Sequence, residues 1–326
     1  MFEKRQNDIR RTKRAAYLVL LMLLLIILMS VHTQDSFAED RISADIGCKQ
    51  VASEEARSKE TRTEEAKTEE TKSEEIKSEA TSESAQESEV DPEAEAIEKY
   101  GYYKGVNAKN IPVFTYHKVV DKDRGRSSLV ITKKALSRQL KYLYDNDYRT
   151  INCEEFYLWY KKKIKLPPKT VMITFDDGHR GVVEYALPLL KKYDLKATTF
   201  IIGASTYNSK ENSISYKQWR KLKDTQTNLE FQSHTYALHR RDKVNSSYTR
   251  IKKDALRQKK VYGFEYLAYP FGINTAAMRK AYADTGIKLA FAYGSEGYAT
   301  RKQNIYQIKR VKVYGSSFDS FKKWLK

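Results

Sequence analysis

The sequence predicts an α/β fold over residues 108–326, a parallel sheet closed most economically into a barrel. Three observations carry this. Apolar, β-branched runs alternate with helix-period segments over roughly 220 residues. Helix signals stand where the alternation needs them, such as Thr132 as a cap and Gly286 as a stop. The chemically active side chains fall at the ends of strand-like runs, where a parallel barrel gathers its working groups.

Residues 111–120 (IPVFTYHKVV) read as the first strand. The helix 132–147 follows, with Leu136, Leu140 and Leu143 at helical spacing, and 154–162 reads as a second helix. Then come strand 170–175 (TVMITF) and helix 182–193, kinked or entered near Pro188. The pattern continues with strand 197–203, helix 216–222, strand 229–235, helix 248–260 and strand 264–272. Helix 275–286, strands 287–294 and 306–315, and a closing helix 317–326 complete it.

The preceding residues have another character. Residues 1–14 hold six Lys and Arg against two acidic groups, and 15–31 form an unbroken apolar run. A basic flank before such a run predicts a cytoplasmic N-terminus with the remainder exported. Residues 1–38 are therefore read as a basic flank plus a transmembrane anchor or signal peptide. The barrel would stand on the outer face of a bacterial-type membrane, or be secreted if cleavage follows Ala38.

Residues 39–107 read as a low-complexity stalk with four degenerate five-residue units (SEEAR, TEEAK, TEETK, SEEIK), or as an acidic interaction tail. Residues 53–98 carry a net charge of −11 and residues 99–326 carry +27. For an exported chain that balance fits an anionic envelope rather than nucleic acid. No protein partner is inferred. Two cysteines, Cys48 and Cys153, exclude a disulfide scaffold.

At the strand ends stand Asp176 and Asp177, then His234 with His239 five residues on, then Tyr269-Pro270-Phe271-Gly272, and, from the first strand, His117. Asp-Asp-Gly alone is a turn sequence, and a lone histidine pair is commonly surface. Together, one carboxylate and two imidazoles form a common set for a divalent cation. Such a cation offsets the repulsion of adjacent carboxylates and frees the other one to act as a base.

These motifs (TFDDG, SHTYALH and AYPFG, with IPVFTYHKV upstream) resemble the polysaccharide deacetylases of the NodB-homology, carbohydrate esterase family 4 group. The match is nearest to the biofilm poly-N-acetylglucosamine deacetylase branch and covers about residues 108–315. The resemblance implies a deformed (β/α) barrel and a divalent metal: zinc first, with cobalt, nickel or iron also suited. It implies Asp176 as general base, Asp177, His234 and His239 as metal ligands, and the Phe271 backbone N–H as an oxyanion donor. The activity implied is removal of N-acetyl groups from an acetylated glucosamine polymer, either exopolysaccharide or peptidoglycan. An O-acetyl esterase on xylan-like glycans and a catalytically weak glycan-binding barrel are the rivals.

Two departures stand out. Leu267 occupies the position of a family arginine, and no histidine follows His239 to supply the family's late general acid. Elimination leaves His117 and His179, of which His117 is preferred because it ends a strand. Arg310 is a candidate replacement for the arginine and a substrate contact. Tyr236, Tyr269 and Pro270, with Trp219, are candidate glycan contacts that read equally well as core.

Overall fold

The computed structural model describes residues 91–122, 127–294, 296–313 and 317–325. The apolar run 15–31 and the repeat region lie outside them. Among the described residues no helix is long and apolar enough to cross a membrane.

Nine helices and ten strands are defined among these residues. Helix α1 is Pro92–Tyr100, followed by β1 Val113–Tyr116, β2 Lys118–Val120, β3 Val130–Thr132 and α2 Lys133–Asp145. Next come β4 Arg149–Ile151, α3 Cys153–Tyr160, β5 Thr170–Phe175, α4 Leu187–Lys192 and β6 Ala197–Ile201. Then follow α5 Gly203–Tyr207, α6 Tyr216–Leu222, β7 Leu229–Ser233, α7 Tyr248–Tyr262 and β8 Tyr266–Ala268. The last are α8 Ala276–Ala283, β9 Leu289–Phe291, β10 Val311–Lys312 and α9 Phe318–Lys322.

The main sheet runs β10-β1-β5-β6-β7-β8-β9 and is parallel throughout. Strand β5 is its hub. One edge pairs with β1; the other is shared, β4 taking Thr170 to Met172 and β6 taking Thr174 and Phe175. All six β5 residues are buried, as expected for a parallel strand covered on both faces. Alternate residues serve two cores. Val113, Met172, Phe200 and Phe291 belong to one cluster, and Phe114, Ile173, Ile201 and Val311 to another.

The sheet curls into an incomplete barrel, and one segment crosses its seam. Ile308 bridges to Phe291 of β9, and three residues later Val311 pairs with Phe114 of β1. Of the expected strand 306–315, the described residues 306–313 are therefore shared between two neighbours, and among them only Val311–Lys312 forms a ladder.

Two further expectations are corrected, and one, the entry of a helix near Pro188, stands. The run 111–120 is two strands, not one, because His117 breaks the ladder between β1 and β2, and β2 pairs instead with β3. Helix 182–193 opens as a π-turn over Val182–Ala186, and α4 follows with Pro188 in its first turn, where a missing N–H costs nothing. The stalk boundary at residue 107 lies too late. Asp91 caps α1 through Glu93 N–H, and Ala96 and Tyr100 are buried against the core that holds Phe156 and Trp159. Three Glu and one Lys had hidden two inward-facing residues.

Candidate metal centre and active site

Three strand-to-helix turns build the site, and each turns through left-handed backbone. Asp177 (φ 70°) and Gly178 (φ 63°) follow β5, Thr235 (φ 68°) follows β7, and Phe271 (φ 57°) follows β8. A Cβ on Gly178 would lie 2.8 Å from the Ile201 side chain, so only glycine fits there. Aspartate tolerates this region; a β-branched threonine resists it, and such strain gathers at functional sites.

Asp177, His234 and His239 each offer one ligand atom, and these atoms lie within 4.8 Å of one another. Asp177 Oδ1 is 3.0 Å from His239 Nε2 and 3.5 Å from His234 Nε2. His234 Nδ1 lies 2.8 Å from the Ala268 carbonyl oxygen. A carbonyl can only accept, so Nδ1 carries the proton and Nε2 keeps a lone pair facing the centre. One carboxylate and two imidazoles suit a divalent cation, and the site fits one. Asp254 of α7 holds the loop between the histidines, its oxygens accepting from Tyr236 N–H and Ala237 N–H at 2.8 Å each.

Asp176 has a different role. It is buried and paired in a bidentate fork with Arg310, both N–O distances being 2.8 Å. Arg310 Nε donates to the Ala292 carbonyl as well. Burial alone would raise the Asp176 pKa, but the guanidinium and His234 outweigh it, and Asp176 lies below the usual carboxylate range. Asp177 is held far lower still, its burial overcome by the two histidines. His117 stands behind Asp176, Nε2 4.0 Å from Oδ2, and burial lowers its imidazole below the ordinary value despite both aspartates.

The other candidates are placed as follows. Phe271 lies in the turn after β8, its ring 4.8 Å from that of His239. Pro270 and Tyr269 are buried, with Tyr269 stacked edge-on to Tyr282, so they support the turn rather than face a ligand. Tyr236 and Trp219 belong to the core. Arg310 is wholly withdrawn from solvent and meets Asp176, not a substrate. His179 accepts from Gly181 N–H and bridges to Ser213, which makes it a loop-forming residue. Cys153 is buried and free. Sequence reasoning missed Asp254, whose one signal is an acid on the inward stripe of a helix.

The polysaccharide deacetylase family profile matches residues 163–290. A poly-β-1,6-N-acetyl-D-glucosamine N-deacetylase of Staphylococcus aureus is 30% identical over 209 residues, covering 60% of this chain and 71% of that protein. This chain belongs to the polysaccharide deacetylase family. Among solved structures, the deacetylase PplD of Streptococcus pyogenes superposes with a TM-score of 0.60 at 23% identity, covering 68% of this chain and 100% of that one. IcaB of Ammonifex degensii gives 0.56 at 25% identity, covering 66% and 95%. The barrel is thus the family's fold, its enzymes are deacetylases, and a divalent metal is the family's cofactor.

Proposed function

We propose that this chain hydrolyses the N-acetyl amide of glucosamine units in a poly-β-1,6-N-acetylglucosamine polymer. The observation that supports it best is the juxtaposition of the Asp177–His234–His239 donor set with a second carboxylate, Asp176, clamped by Arg310. Asp177, His234 and His239 would hold the cation, with zinc the choice for two imidazoles and one carboxylate. A cation held there would supply Lewis-acid polarisation of the acetyl carbonyl and would make water acidic enough to be deprotonated near neutral pH.

The chain's own groups divide the remaining work. Arg310 keeps Asp176 ionised, and the lone pairs that the fork leaves free accept a proton from the attacking water. The turned backbone at Phe271 offers its N–H to the oxyanion. As the C–N bond breaks, the leaving nitrogen gains a proton. His117, its Nε2 4.0 Å from Asp176 Oδ2, takes up the proton that Asp176 removed from water and passes it to that nitrogen, which returns both groups to their starting state. Acetate and a glucosamine amine are the products. The barrel works outside the cell, carried there by the basic flank and the apolar run 15–31.

Acetate release from a β-1,6 N-acetylglucosamine oligomer tests this, measured after chelation and again after zinc, cobalt or nickel is restored. Release that returns with metal and is absent in Asp177→Ala and His234→Ala is the expected result. Silence on this oligomer beside turnover of peptidoglycan fragments or acetylated xylan would overturn the substrate. Silence on all three would overturn the hydrolase reading. Protease protection of the barrel in intact cells, lost on permeabilisation, would overturn the location.

A further inference from the structure

Positive charge surrounds this mouth, and the chemistry above does not use it. Arg241, two residues beyond His239, is exposed and places its guanidinium 4.8 Å from the centre of the Phe271 ring. That ring is the one lying 4.8 Å from His239. Across the site, Lys312 of β10 has its Nζ 4.5 Å from the Tyr293 ring, which meets His117 edge-on at 5.8 Å. Lys118, exposed, directly follows His117.

One cation therefore stands a single aromatic ring from the metal-ligand side, and another a single ring from His117. Among the described residues none of the three makes an ion pair with a carboxylate. Asp176 pairs with Arg310, Asp177 faces the histidines, and Asp242, next to Arg241 in the chain, pairs with Arg240.

Each turnover changes the substrate's charge. An acetylated sugar is neutral, whereas its product carries an ammonium group at neutral pH. A glycan threaded through the mouth places neighbouring sugars beside the rim, within the screening distance of these cations. Resting on the reaction proposed above, we infer that Arg241, Lys312 and Lys118 form a cationic rim that selects against sugars adjacent to a free amine. The enzyme then removes acetyl groups at spaced positions and leaves stretches between them acetylated.

The rim acts through its field and touches no reacting atom. Like charges about 7 Å apart in water-like surroundings penalise binding about threefold per pair, so two pairs give about tenfold. The test uses three β-1,6 pentamers: fully acetylated, with one internal free amine, and with that amine capped as an uncharged carbamate. Expected is about three- to tenfold lower kcat/KM for the free-amine pentamer than for the capped one. Raising salt should narrow the gap, and Arg241→Glu with Lys312→Glu should close or reverse it.

Equal rates on the free-amine and capped pentamers would overturn the rim while leaving the deacetylase intact. Equally poor rates on both, against the fully acetylated pentamer, would also overturn it, because a lost acetyl contact would then be responsible. Absence of release from the fully acetylated pentamer would instead overturn the reaction itself. Should the double variant fail to fold, the salt dependence of the wild-type ratio decides.

Discussion

Two groups of shielded carboxylates lie in this barrel, one where strands end and one where β6 and β7 begin. In the second, Glu155 is fully buried, accepts from Arg149 and Lys196 at 2.9 and 3.0 Å, and closes a capping box with Asn152. Glu230 nearby accepts from Thr198, Gln232 and Cys153 N–H. Every oxygen there meets a donor fixed by the fold. At the strand ends Asp176 is equally buried, but its neighbour Asp177 faces two imidazole nitrogens that meet no fixed donor. Burial of an acid is common to both groups. Lone pairs that converge and remain unspent distinguish the working one.

The largest expected effect separates the two directly. Asp176→Asn should lower kcat by about 10³-fold or more while metal uptake, followed by equilibrium dialysis, stays near wild type. Glu155→Gln should leave kcat within about twofold, and comparable losses from both would erase the distinction.

Next is the fork. Arg310→Met leaves a buried carboxylate without its cation and should cost about 3–5 kcal/mol of stability in denaturant melts. Adding Asp176→Asn to it should restore part of that loss; a strictly additive double variant would mean that the pair is not coupled.

A smaller effect follows at Glu230, which makes no ion pair among the described residues. Burial holds its carboxyl above the usual glutamate range, and its hydrogen bonds only partly oppose this. The folded state therefore keeps the proton to higher pH than the unfolded chain. The stability contribution is present at low pH and lost as pH rises from the ordinary glutamate range through Glu230's own raised value. Glu230→Gln should flatten that decline, which thermal melts from pH 4 to pH 8 would show. The smallest expected change belongs to α1: Ala96→Ser should cost about 1 kcal/mol and leave turnover alone.

The sequence carried the order of strands and helices because parallel strands buried on both faces show as uninterrupted apolar runs, as in TVMITF. The four motif residues at strand ends were legible because topology brings such ends together whatever the loops between them. Tyr236, Tyr269 and Trp219 were ambiguous because an aromatic ring suits a core and a sugar equally, and only burial decides for core. The partner of Asp176 was obscure for a different reason. Arg310 is 134 residues away, so the pairing depends on how the barrel seam closes, a long-range event without a local pattern. His117 was found as a strand end, yet the break it makes in the ladder was hidden by the apolar residues on either side.

That seam ties closure of the barrel to the state of its base. Asp176 is made early in the barrel, and its countercharge arrives only when the segment from Ile308 to Val311 docks between β9 and β1. Until then Asp176 lacks the guanidinium that offsets its burial. Closing the barrel and arming the carboxylate are thus a single event.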